Sequence, residues 1–441
     1  MGNRYRCRRR KSPGSRSSRR ISRGKTCRLV PLIPLTPYRI LISFRERIVL
    51  YALLTSLTSL SIDALLPGLR EIGADVAAAP PLSTQHVISL FIFGMAFGEL
   101  LLGPLSDAIG RKKALLLGLC IYGAGTVIAM LATSLDMVIL GRFLQGVGVS
   151  GPKIATRAMI RDQFEGNAMA RVMSLMFTLF ILVPMLAPAL AQGLIAIAGW
   201  RSVFVAYLVI AGSLGLWLAM RQTETLPAEK RVPFRPRVLL TNGRRVLSNR
   251  RVTLLIVATG LVFGAQLLYL STAADLFLDA YGIKETFPFY FALLATGVGL
   301  ASFVNARLVQ KFGMEAMARA AFIALATTGF LMTSASLSCG GRLPLAALMP
   351  FGFSAFFAIG VIFGNLNAMA MQSLAQVAGL GASLIASGSS LVATLFSIGM
   401  GRFYDGTTTS LSTGFLVAGI GALVLSEMAR RSDMVPVEAI R

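Results

Sequence analysis

The chain has 441 residues, 55% of them hydrophobic and only 14% charged, with a mean hydropathy of +0.70. Soluble proteins carry about a quarter charged residues, so the composition excludes a soluble globule and fits a multi-pass membrane protein. The net charge of +24 raises nucleic-acid binding. However, the cations crowd the beginning and the middle of the chain with long apolar runs between them, the distribution of basic loops beside spanning helices.

Residues 1–46 read as a basic extension. Lys and Arg recur from Arg4 to Arg28 among Ser and Gly, and no acid precedes Glu46. No apolar segment follows at signal-peptide spacing, so a secretory leader is not expected. A disordered tail, an organellar transit peptide and upstream sequence from a mis-set start all fit this composition.

Twelve apolar segments follow, each long enough to cross about 30 Å of hydrocarbon as a helix. They cover approximately 48–67, 85–105, 114–133, 137–158, 172–194, 202–220, 252–272, 288–308, 318–338, 345–370, 379–402 and 411–430. The second is expected to end at Gly103-Pro104, because proline cannot donate to the helix ladder. Between the sixth and seventh lies a basic stretch, Arg221 to Arg251, with Pro227, Pro233, Pro236 and an Asn242-Gly243 turn signal. The predicted fold is therefore an all-α membrane protein of 12 transmembrane helices in two pseudo-symmetric six-helix bundles. The bundles are 47–220 and 252–430, with a linker over 221–251 and a tail over 431–441.

Charge sets the orientation. The even-numbered connections hold Arg111, Lys112, Lys113, Arg161, Arg171, the linker, Lys311 and Arg319, whereas the odd ones mix few cations with Glu71, Asp75, Asp136, Asp279, Glu285 and Asp405. Cations gather on the cytoplasmic side, so both termini and the linker are expected inside an inner (plasma) membrane.

Cys7, Cys27, Cys120 and Cys339 are scattered, and His86 is the single histidine; no disulfide framework, metal site or cofactor is expected. Gly146-Val-Gly148-Val-Ser-Gly151 spells G-x-G-x-x-G, but inside an apolar helix, without the strand a dinucleotide site requires. H-E-x-x-H, G-x-S-x-G and Walker patterns are missing, which argues against a membrane enzyme; an enzyme or a non-transporting sensor is the weakest reading.

The stretch Gly103 to Lys113, GPLSDAIGRKK, resembles the loop between helices 2 and 3 of the major facilitator superfamily, roughly G-x-L-[SA]-D-x-x-G-R-[RK]. The matches are Gly103, Leu105, Ser106, Asp107, Gly110, Arg111 and Lys112. Arg157-Ala158-x-x-Arg161-Asp162-x-Phe164 is similar to the family's segment at the inner end of helix 4. The resemblance implies a cytoplasmic gate in which Asp162 and Glu165 partner Arg111, with Arg161 beside them. A weak echo, Asn305, Arg307, Lys311 and Gly313, follows the eighth span and suggests internal duplication.

Charges inside the spans mark function, since each costs roughly 2.5–3.5 kcal/mol on insertion scales. Arg142 and Gln145 stand in Arg142-Phe-Leu-Gln145-Gly146-Val-Gly148, which resembles the family's helix-4 motif R-x-x-Q-G-x-G and implies proton coupling. Ser61-Ile-Asp63-Ala-Leu-Leu66-Pro67 resembles the first helix of bicyclomycin-resistance-type drug:proton antiporters, although Ala64-Leu65 replaces the usual aromatic. Counted from their helix ends, Asp63 and Arg142 fall at equal depth, where an ion pair can form. Glu99 and Asp275 are further intramembrane acids. Pro184, Pro188 and Gly193, followed by Gly199-Trp200-Arg201, resemble the hinge of the fifth helix and its contact with the eighth.

The resemblance thus implies a monomeric secondary transporter that couples proton entry to efflux of small apolar drugs. Its expected coupling residues are Asp63, Glu99 and Arg142, and its expected substrate cavity holds Asp63, Gln145 and Asp275. The alternative within the class is export of an endogenous metabolite, sugar or siderophore.

Overall fold

Ser43 opens the first helix as a reciprocal cap. Its hydroxyl accepts from the Glu46 backbone N–H at 3.2 Å, and the Glu46 carboxylate accepts from the Ser43 N–H at 3.4 Å. The computed structural model describes residues 43–76, 83–164, 166–372 and 378–432. Residues 1–42 of the basic extension, Glu165 and 433–441 of the tail lie outside the described residues.

The first half contains α1 (Phe44–Asp63), a 3-10 turn (Leu66–Gly68), α2 (Leu69–Asp75), α3 (Gln85–Ile109), α4 (Arg111–Met130), α5 (Leu135–Gln163), α6 (Gly166–Ala198) and α7 (Arg201–Arg221). After a short linker helix, α8 (Pro236–Ser248), come α9 (Arg250–Tyr281), α10 (Phe287–Phe312), α11 (Met314–Ser338), α12 (Leu345–Gln372), α13 (Ala378–Gly401) and α14 (Thr409–Ser432). Each predicted span lies on a helix, and the ends agree to within about six residues except that α9 runs nine residues past the expected 272, to Tyr281. Among the described residues ten helices are long and apolar enough to cross a membrane, and Leu182–Ala198 is a shorter apolar one. Helix α5 falls outside that set, diluted by Arg142, Lys153, Arg157 and Arg161.

Packing repeats between the halves. In the first, α5 packs on α3 and α4, α6 on α1, and α7 on α4. In the second, α12 packs on α10 and α11, α13 on α9, and α14 on α11. Contacts between the halves pair off in the same way, α3 with α13 and α6 with α10. This is the pattern of two related bundles about a pseudo-twofold axis. The weak echo of the opening motif has a structural counterpart. Gly110 joins α3 to α4 with φ 103° and ψ 153°, and Gly313 joins α10 to α11 with φ 81° and ψ 159°. Only glycine adopts such values readily, so each half turns on a single residue at the same topological place.

Two further boundaries move. Helix α3 does not end at Gly103-Pro104 but runs through Pro104 to Ile109. A proline inside a buried spanning helix removes one N–H yet need not stop it when neighbouring helices hold the adjoining turns; Gly103 is pressed against Ser383 of α13. The first span does not finish at residue 67 either. It breaks at Ala64-Leu65 and resumes through the 3-10 turn into α2, so the combined element reaches Asp75.

Candidate functional site

The site is built on α5. Gly146 faces the Phe91 carbonyl of α3 so closely that a side chain there would collide with it, and Gly148 likewise faces the Tyr122 nitrogen and Gly118 carbonyl of α4. Small residues let helix backbones approach in this way, and the approach sets Arg142, one turn earlier, among three helices. Arg142 is fully buried. It donates to the Ser61 carbonyl of α1 at 2.9 Å, the Val87 carbonyl of α3 at 3.2 Å and Gln145 Oε1 at 2.8 Å. The Phe91 ring lies 4.3 Å from its guanidinium carbon, a cation–π contact. Gln145 in turn donates to Thr126 Oγ1 at 2.7 Å. Carbonyl dipoles and an aromatic face therefore hold this cation, and Gln145 is part of the bracket that holds it.

The expected Asp63–Arg142 ion pair is not formed. Asp63 sits at the break between α1 and the 3-10 turn, 12 residues before the end of α2 at Asp75. It is deeper than a count from residue 67 implies. Its Oδ2 accepts from the Ser59 hydroxyl at 2.5 Å, and among the described residues no cation lies within ion-pair distance. Although Asp63 is buried, the phenols of Tyr207 (α7) and Tyr269 (α9) are within its electrostatic reach. Among the described residues the Tyr269 hydroxyl has no hydrogen-bond partner.

Glu99 has a different environment. It is completely buried on α3, and Lys153 Nζ of α5 lies 2.5 Å from its Oε1. Ser390 of α13 donates to its other oxygen at 3.2 Å, which ties the two halves. Glu99 and Lys153 each stand 10 residues from the ends of their helices at Ile109 and Gln163, roughly 15 Å at 1.5 Å per residue. The sequence alone does not single out Lys153; its signal is a lysine one turn before Arg157, beside Pro152.

The Gly103–Lys113 stretch forms a charged knot. Arg111 is buried and reaches Asp107 Oδ1 at 2.5 Å, Asp162 Oδ2 at 3.1 Å and Ser106 Oγ at 2.9 Å. Glu224 of the linker, which the sequence did not single out, accepts from the backbone N–H groups of Arg111 and Lys112 at 2.9 and 3.1 Å. It thereby caps α4 at its positive end. The Lys112 ammonium donates to the Ala219 carbonyl at 2.7 Å, and Arg161 is exposed. All these partners belong to the first half or to the linker.

At the opposite end the halves meet. Arg70 of α2 pairs with Asp275 of α9 at 3.3 Å and with Asp279; Gln192 of α6 donates to the Glu285 carbonyl at 3.1 Å. Asp275 is thus engaged in a bond between the halves. Glu71 and Asp75 of α2 receive the Trp200 backbone N–H, the Trp200 indole and Arg201. Pro184 and Pro188 lie inside α6, Gly193 has open space around it, and α6 packs on α10.

A model of the Major Facilitator Superfamily matches residues 50–401. The chain is 29% identical over 386 residues to an uncharacterized MFS-type transporter, YdgK, of Bacillus subtilis, covering 85% of this chain and 93% of that one. A bicyclomycin resistance protein homolog of Haemophilus influenzae is 28% identical over 343 residues, covering 76% and 83%. A D-xylose-proton symporter structure superposes with a TM-score of 0.64 at 13% identity, over 88% of this chain and 97% of that one; at that identity the likeness speaks to the fold alone. Together with the repeated bundles and the Gly103–Lys113 knot, these matches identify the chain as a multi-pass membrane transporter of the Major Facilitator Superfamily.

Proposed function

We propose that the protein is a monomeric drug:proton antiporter of the inner membrane, exporting small, largely apolar drugs. The linker face, with both termini, is cytoplasmic, and the segments 47–220 and 252–430 rock about a shared central region with 221–251 as the strap between them. The relative named for bicyclomycin resistance supports the substrate class, and the cations of the linker support the orientation.

The observation that carries the coupling is Asp63. It is buried at a break in a spanning helix, with one hydroxyl partner and no ion pair among the described residues, beside tyrosines from both halves. Discontinuous helices bearing acids are where secondary transporters bind coupling ions. Glu99 is already matched by Lys153, which leaves Asp63 as the acid free to change charge. Arg142 grips the backbone of α1 at Ser61, so a change of charge at Asp63 is felt by a braced core through Gln145. A proton binding at Asp63 then favours one arrangement of the halves and its loss the other.

The described arrangement is tied at the end opposite the linker by Arg70, Asp275 and Asp279, and toward the linker end Gly103 of α3 also meets Ser383 of α13. Gly103, Asp107, Gly110, Arg111, Lys112, Arg161, Asp162 and Glu165 form the cytoplasmic gate, and Pro184, Pro188 and Gly193 bend α6 against α10. The test is drug efflux from cells expressing the full chain. Asp63→Asn abolishes protonophore-sensitive efflux with normal membrane expression; full retained efflux overturns the assignment.

A further inference from the structure

Along one face of α5, Lys153 and Arg157 stand one helical turn apart, a spacing that puts both side chains on the same side. Lys153 binds Glu99 of α3, which also accepts from Ser390 of α13, so this face looks toward the seam between the halves. Arg157 is exposed, and among the described residues no hydrogen bond or salt bridge engages its guanidinium. Glu99 is the carboxylate in its electrostatic reach. Ile154 of α5 and Ser383 of α13 both stand near Gly103 of α3, so the three helices converge on the linker side of the Glu99 pair. Two cations and one acid leave one positive charge over at that seam. An intramembrane cation is expensive and tolerated where it meets a partner or a water-filled path; among the described residues neither a carboxylate nor a carbonyl lies in hydrogen-bond or ion-pair contact with Arg157.

We propose that Arg157 and Lys153 form an anion subsite, and that the transported solutes include compounds carrying a carboxylate or similar single negative group on an apolar body. The proposal rests on the transporter reading above. Arg157 supplies the planar fork that matches a carboxylate. Lys153 turns part of its hydrogen bonding from Glu99 to the bound anion, and Ser390 keeps Glu99 satisfied meanwhile.

Ligand-induced thermal stabilisation of the full chain in detergent tests this without any proton gradient, so failed coupling and failed binding are told apart. The probes are 1-naphthoate and its uncharged counterpart 1-naphthamide, with dioleoylphosphatidylglycerol as a third arm. Naphthoate is expected to raise Tm more than naphthamide. Arg157→Gln is expected to weaken the naphthoate response about tenfold or more in apparent affinity, and Arg157→Lys, which keeps the charge but loses the fork, to weaken it less than Arg157→Gln does. The paired variant Glu99→Gln/Lys153→Gln removes the second cation without stranding the acid and is expected to weaken naphthoate too. Equal responses to naphthoate and naphthamide, or a naphthoate response unchanged in Arg157→Gln, overturn the proposal. An Arg157-dependent response to the lipid with none to naphthoate makes the occupant a lipid headgroup and overturns the solute assignment.

Discussion

Arg142 bonds the Ser61 carbonyl, two residues before Asp63, and leaves the Asp63 carboxylate to Ser59. The cation thus braces the helix that bears the acid without neutralising the acid. A salt bridge here would lock both charges; the separated arrangement fixes the geometry and leaves Asp63 without a countercharge, as the proposed coupling requires. Arg142→Lys is expected to retain the fold but lose most pH-driven efflux, because an ammonium cannot span three acceptors on two other helices and its own. Efflux in everted vesicles at fixed expression checks this.

The pairing of Arg70 with Asp275 and Asp279 is largely solvent-exposed on the arginine side, so its worth is about 0.5–1 kcal/mol at ordinary salt. Arg70→Ala is therefore expected to shift the population toward opening at that end by about two- to fivefold. Spin labels at Ala74 and Arg402, both exposed, read the change as a longer inter-label distance.

Glu224 caps α4 from the linker through two backbone N–H groups. Glu224→Gln removes the charge from a helix N-terminus, and a loss of roughly 1 kcal/mol is expected. The strap then opens more often, and trypsin cleaves at Lys230 and Arg231 several-fold faster in membranes, read by gel.

Close helix contact along α5 depends on glycine. Gly148→Val drives a side chain into the Tyr122 and Gly118 backbone of α4, and a loss of about 1–3 kcal/mol or more is expected. Gly212→Ala in α7 enters open space and is expected to gain up to about 1 kcal/mol. Thermal melts in detergent should move in opposite directions.

The spans were legible because apolar runs of membrane length have few other outcomes, and Asp63, Glu99 and Arg142 stood out as charges within them. Depth along a span was not legible in the same way. The first span looked complete at Pro67, but its helix breaks at Ala64-Leu65 and continues to Asp75, so equal depth with Arg142 did not produce a pair. Pro104 looked like a helix end, yet the turn waits for Gly110, whose backbone geometry no hydropathy profile encodes. Lys153 and Glu224 were in plain view, but their partners lie 54 and 113 residues away in sequence, and such pairs emerge only from packing.

Proton release measured directly on the purified protein puts the most weight on Asp63. When the drug giving the strongest efflux phenotype is added to detergent-solubilised wild type in weak buffer, the account predicts a release of protons. It predicts none from Asp63→Asn, while Glu99→Gln/Lys153→Gln still releases them. Undiminished release from Asp63→Asn would contradict it.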